Sequence, residues 1–288
     1  MKKLFVILAF IVVGLSLGTK VSAQSFYEDE STAQDGIYDE NGTGVREPMP
    51  NTYIREADVM WKKTIWREID FRQKMNQGFY FPTTPHKNLK NLYTVLKEAL
   101  MDPTSGVIAY KDETITGELV DPTTWEEIEK NITSEQQVDD VDEEGNVIGT
   151  KTTKSEMSSA EVLRCQIKEE WFFDKQRSEM QVRIIAICPI RVYEKDGVLV
   201  SQRLFWIPYD TNLRKVLVNA PYFSRANSAA RHSYDDVFMR RIFDSYIIRE
   251  DNLFDRSIKE YTKGADAIRE SQRINQSIID FEQNLWEY

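Results

Sequence analysis

Reactive side chains are scarce in this chain. Among its 288 residues are two cysteines and two histidines. Two cysteines are too few for a disulfide-stapled scaffold or a structural zinc site. His86 lies in a proline-bounded loop and His232 just ahead of a helix start, neither with an H-x-x-x-H spacing nor beside a nucleophile motif. No G-x-S-x-G elbow, phosphate-binding loop or dinucleotide fingerprint occurs. The stretch Asp140-Val141-Asp142-Glu143-Glu144-Gly145 echoes the start of a calcium loop, but Lys151 occupies the place where a bidentate Glu is needed, so a solvated acidic loop is the better reading. The neighbouring carboxylates Glu126 and Glu127, and Asp235 and Asp236, suit the positive ends of helices and need no catalytic role. The expectation is no enzyme, no cofactor and no metal.

Long apolar runs are missing too, except at the start. Lys2 and Lys3 precede an almost wholly apolar stretch, Leu4 to Leu17, and Val21-Ser22-Ala23 offers small side chains where a signal peptidase reads. This pattern predicts a secretory signal over residues 1–23, cut between Ala23 and Gln24. The stretch is shorter than the roughly 20 residues that span a bilayer. No cysteine follows it, so the pattern predicts no lipid at the new N-terminus. Loss of Lys2, Lys3 and Lys20 takes the formal charge from −10 to −13. An acidic surface disfavours nucleic acid and anionic lipid as partners. The expected product works in the periplasm, an oxidising compartment, without direct membrane insertion.

What is present reads as a folded domain over residues 52–252. Ahead of it lies a flexible acidic segment, 24–51, broken by Gly36, Gly42, Gly44, Pro48 and Pro50. Ala57, Trp61, Ile65 and Ile69 recur four apart with charges between them, predicting an amphipathic helix from Tyr53 to Asn76. A second helix is expected over Asn88–Met101, ended by Asp102-Pro103. A short strand follows at Val107–Tyr110, and then a brief helix over Trp125 and Ile128, with Asp121 as its cap and Pro122 in first position. Residues 134–160 are polar and acidic, expected as a mobile loop or a ragged hairpin turning at Gly145.

Two alternating stretches carry the sheet. Leu163, Cys165, Ile167, Trp171 and Phe173 alternate with polar residues, as do Met180, Val182, Ile184, Ala186, Cys188 and Ile190 beyond a polar turn. Pairing the apolar faces sets Phe173 against Met180, Trp171 against Val182, Ile167 against Ala186 and Cys165 against Cys188. Directly opposed residues lie close enough for a disulfide, so a structural Cys165–Cys188 bridge is expected ahead of two buried thiols. Asp196-Gly197 then turns the chain into a third antiparallel strand, Val198 to Ile207. Helical pattern returns over Asn212–Val218 and from Ser233, where Ser233-x-x-Asp236 makes an acidic capping box. The fold class expected is α+β, an antiparallel sheet of at least three strands packed by flanking amphipathic helices.

Residues 253–288 end in an amphipathic helix, where Ala267, Ser271, Ile274, Ile278, Phe281 and Leu285 form a narrow seam. Such a seam docks on its own domain or into a partner. Trp61 and Trp66, with Ile274, Ile278, Phe281 and Leu285, are therefore the candidate partner-binding residues.

Three stretches resemble the GldN/PorN family of Bacteroidetes gliding-motility and type IX secretion proteins. They are Tyr53 to Asp70 with Arg72, Lys74 and Asn76, Phe205-Trp206-Ile207-Pro208-Tyr209, and Ser233 to Phe243 with Ser245, Tyr246 and Ile247. The likeness runs from about Tyr53 to Asn252. It implies a non-enzymatic periplasmic structural component that self-associates in a ring with an outer-membrane lipoprotein of the GldK/PorK type. It also implies contact with the periplasmic region of a GldM/PorM-type protein of the inner-membrane motor. Association with the outer membrane would then run through partners. The alternative class is a periplasmic cell-wall glycan-binding module, suggested by the aromatics and acidic loops.

Overall fold

A computed structural model describes residues 45–286, apart from 87, 113–116, 142–146, 156, 196, 225–226, 228–231 and 255. The expected signal sequence, its cut between Ala23 and Gln24, most of the acidic segment 24–51 and the turn at Gly145 lie outside the described residues.

The chain is α+β, as its pattern predicted. The strands are β1 (Val59–Asp70), β2 (Ala109–Tyr110), β3 (Pro122–Thr123), β4 (Ser134–Val141), β5 (Val147–Ser155), β6 (Val162–Asp174), β7 (Glu179–Lys195), β8 (Val198–Arg203), β9 (Ile207–Pro208) and β10 (Tyr246–Glu250). The helices are α1 (Gln77–Tyr80), α2 (Leu92–Met101), α3 (Trp125–Ile132), α4 (Thr211–Asn219), α5 (Tyr234–Met239), α6 (Ile258–Tyr261) and α7 (Ala265–Trp286). The main sheet runs β10-β1-β6-β7-β8 with β9 also on β7, and every pairing is antiparallel. Strands β4 and β5 pair with each other, making the hairpin one of the two forms expected for residues 134–160.

The helix expected over Tyr53–Asn76 is instead the central strand β1. The reason is arithmetic. A spacing of four is even, so Trp61, Ile65 and Ile69 share one face of a strand as readily as one face of a helix. Trp66 decides between them, since the strand turns it to the opposite face, where it is buried with Ala186, Cys188 and Trp206. The small helix over Trp125 and Ile128 is present, but its expected start at Asp121-Pro122 is corrected. Pro122 and Thr123 pair with β2, and α3 starts one residue after Thr124.

The β6–β7 hairpin follows the expected register at its turn, with Phe173 opposite Met180 and Trp171 opposite Val182. Between Lys168 and Glu169 the register shifts by one residue, because Ile185 is extra on β7. Beyond that bulge Ile167 faces Ile187, Gln166 faces Cys188 and Cys165 faces Pro189. A one-residue slip moves a side chain to the other face of the sheet. Cys165 therefore packs with Ile69 and Ile167, Cys188 packs with Trp66 and Trp206, and both are free, buried thiols. The expected Cys165–Cys188 disulfide is corrected on that ground.

Both faces of the sheet are covered. One face buries Ile69, Cys165, Ile167 and Ile187 against α1, α2, α4 and α5 through Phe79, Leu96, Leu213, Leu217 and Phe238. Further along the same face Ile65 and Ile247 pack against Ile258, Ile274 and Ile278 of α6 and α7. Helix starts follow local chemistry. The Asn91 side chain accepts from the Thr94 N–H at α2, Asp210 accepts from Leu213 at α4, and Ser233 with Asp236 completes the predicted capping box at α5.

Candidate functional site

The seam helix α7 lies against strand β10 and the end of β1. Ile274 and Ile278 are 1% and 3% exposed beside Ile65 and Ile247. Phe281 stacks on Trp61 with ring centroids 4.7 Å apart. Ser271 lets the helix come close, and its hydroxyl accepts the Ile247 N–H at 2.9 Å. That bond covers an amide at the sheet edge that would otherwise be open to pairing. Of the six partner-binding candidates, the fold brings Trp61, Ile274, Ile278 and Phe281 together and puts Trp66 on the opposite face. Trp66, Ile274 and Ile278 are covered by the chain itself, while Trp61, Phe281 and Leu285 stay partly exposed.

Between the two apolar clusters on this face runs an ionic layer. Glu169, 0% exposed, accepts from both terminal nitrogens of Arg241 at 2.8 and 3.2 Å and from the Trp171 indole at 3.2 Å. The Arg67 Nε stands 3.2 Å from the same carboxylate, and its Nη2 donates to Asn275 of α7 at 2.9 Å. Both guanidiniums lie over the Trp171 ring. Burial pulls the Arg67 guanidinium below its ordinary value, Glu169 opposes that shift, and the like charge of Arg241 adds to it. The sequence signal for this layer was two charges, Arg67 and Glu169, standing in the apolar alternation of Ile65 and Ile69 on β1 and of Ile167 and Trp171 on β6.

Two further buried acids are held in the same manner. Asp235 takes Arg214 at 3.0 and 3.2 Å and the Tyr209 hydroxyl at 2.5 Å. Burial first, and then the Asp235 charge, raise the Tyr209 phenol above its usual value. Glu68 accepts from Arg164 at 3.1 Å and from the Tyr246 hydroxyl. Burial and the hydrogen bond to Glu68 likewise raise Tyr246. Each acid accepts from donors on distant segments, an arrangement that joins elements. His86 is exposed, and the backbone carbonyl of His232 accepts from Tyr222. Burial pushes both cysteine thiols up, which suppresses the nucleophilic thiolate. Among the described residues no cluster of three or more His, Cys, Asp or Glu side chains could hold a metal ion.

The fold and its buried pairs define a scaffold, a twisted antiparallel sheet clamped to its helices by hydrophobic clusters and internal ion pairs. A family model described as gliding motility associated protein GldN matches residues 54–287, and the chain belongs to the GldN family. That membership associates it with gliding motility and type IX secretion. No match is found among curated proteins.

Proposed function

We propose that the chain is a non-enzymatic structural component of the periplasmic type IX secretion and gliding machinery. It is exported on the signal cut between Ala23 and Gln24 and forms a ring with an outer-membrane lipoprotein of the GldK/PorK type. It couples that ring to the motor through the periplasmic region of a GldM/PorM-type protein. Family membership across residues 54–287 carries the reading. The commitment of Glu68, Glu169 and Asp235 to arginines and tyrosines supports a load-transmitting body over a substrate site. Among the described residues no helix is long and apolar enough to cross a membrane. In this reading the lipidated partner supplies the attachment. Co-purification of the lipoprotein from detergent-solubilised envelope tests it. Peptidoglycan binding without any envelope protein would instead establish the glycan-binding alternative.

A further inference from the structure

The two edges of the main sheet are finished differently. At β10 the Ser271 hydroxyl accepts the Ile247 N–H, and Arg249 bridges to Ser257. At β8 no described strand pairs with the outer edge. Leu204 donates its N–H to Pro189 on β7, so strand alternation turns the Leu199 and Ser201 amides away from β7. Strand β6 stops opposite Arg191, and beyond it β7 and β8 run on as a two-stranded ribbon. Such a ribbon is marginal alone and gains from a third strand. The usual guards of an open edge, proline, lysine or a bulge, are absent from Val198–Arg203, and Leu199 is 73% exposed.

A complementary edge lies ahead of β1. Residues 45–53 cross the surface without helix or strand and are pinned to the body at three places. The Arg46 N–H donates to the Asn219 side chain at 2.8 Å, and the Arg46 carbonyl accepts from it at 3.0 Å. The Asn51 side chain accepts from Arg214 at 3.4 Å, and the Thr52 carbonyl accepts from Arg183. Pro48 and Pro50 hold the segment extended, because each keeps the residue before it out of the helical region. In an extended chain the even-numbered backbone groups then face the body, where the two prolines strand no N–H. The odd-numbered groups face solvent, and among the described residues no hydrogen bond uses the backbone of Val45, Glu47, Met49 or Tyr53. Val45, Met49 and Tyr53 are 92%, 77% and 85% exposed. The segment is a strand with one free edge, already held by its own body, so pairing costs it little further ordering.

We infer that residues 45–53 of one copy add as an antiparallel strand to β8 of the next, a β-augmentation between copies of this chain. Setting Glu47 opposite Arg203, which also meets Asp112 at 3.2 Å, places Met49 opposite Ser201 and Asn51 opposite Leu199. Leu199 then lies diagonally between Met49 and Tyr53, within reach of both. The pairing does not close within one chain. Thr52 is bound at Arg183, and the ribbon starts about 30 Å further along β7. Donor and acceptor edges are different patches at opposite ends of β7, so the contact is head-to-tail and propagates into a closed ring or a filament. The inference rests on the ring of the proposed function and assigns its self-contact.

Full-length chains carrying Met49→Cys and Ser201→Cys, produced in their own cells and run on non-reducing gels, test it. Directly opposed residues suit a disulfide, and Cys165 and Cys188 are buried and stay out of the reaction. The doubly substituted chain gives a ladder of cross-linked species, and the two single variants produced together give dimers and nothing larger. Gln202→Cys in place of Ser201→Cys turns the thiol to the other face and loses the ladder. Leu199→Pro deletes an outward N–H, keeps the β7 pairing and lowers the cross-linked fraction about tenfold, with Leu199→Lys as the substitute if proline unfolds the ribbon. Monomers from the double variant, with the chain still in a large envelope complex, would place the self-contact elsewhere and overturn the inference. Equal ladders from Ser201→Cys and Gln202→Cys would overturn it too, as would a Ser201→Cys chain cross-linked to a different envelope protein. Absence of any large complex would bring down the ring reading itself.

Discussion

Replacing Glu169 with glutamine should destabilise this domain more than a change at any surface ion pair. The carboxylate is fully buried and faces two guanidiniums, Arg241 at 2.8 Å and Arg67 at 3.2 Å. Glutamine keeps the size but has one acceptor oxygen where the carboxylate has two, so its amide nitrogen faces a donor of Arg241 or Trp171. It leaves Arg67, 8% exposed, without an anion beside it. Stranding one member of a buried pair costs about 3–5 kcal/mol, because the remaining charge keeps its desolvation penalty and loses its compensation. Total stability for such a domain is about 5–15 kcal/mol, so the loss is a large share. At roughly 2–4 °C per kcal/mol for a domain of this size, the melting midpoint falls by roughly 6–20 °C. Urea unfolding followed by tryptophan fluorescence measures the free energy directly. The triple change Arg67→Met, Glu169→Leu and Arg241→Met removes the acid together with both guanidiniums and should recover most of the loss, since apolar packing replaces such a cluster at little cost. A loss below about 1 kcal/mol for Glu169→Gln, the range of exposed pairs, would refute the reasoning.

Three further outcomes follow from the same geometry. Ser271→Ala leaves the Ile247 amide unpaired between β10 and α7, costing about 1–3 kcal/mol; hydrogen exchange should speed up along α7 before the β6–β7 hairpin, and uniform protection would contradict it. The Asp70 carboxyl is held below its usual range chiefly by hydrogen bonds from Arg72. A depressed folded pKa contributes stability that is present above the ordinary carboxylate value and lost as pH falls through the folded value, so Asp70→Asn should flatten the acid limb of a stability–pH curve below about pH 4 and leave neutral pH slope unchanged. Both cysteines should resist a thiol reagent in the native protein and both should react in denaturant, because each is buried on its own face of the sheet; a denatured protein without free thiols would show that the register beyond the bulge is different.

The sequence by itself determined the fold class, because period-two alternation in β6 and β7 and seam spacing in α7 are local signals that survive any packing. It also determined the capping box at Ser233 and the turn at Gly197, where φ is +78°, since both depend on residues a few positions apart. Tertiary structure decided the rest. A spacing of four suits both helix and strand, and β1 became a strand because β6 and β10 pair with it on either side. The extra residue Ile185 moved the cysteines to opposite faces, and nothing local to Cys165 or Cys188 records that bulge. The seam of α7 was visible in the sequence, but its partner was not. Ile65 and Ile247, nearly two hundred positions apart, form that surface only when β1 and β10 are neighbours. Apolar periodicity reports which side of an element must be covered, and only long-range pairing reports what covers it.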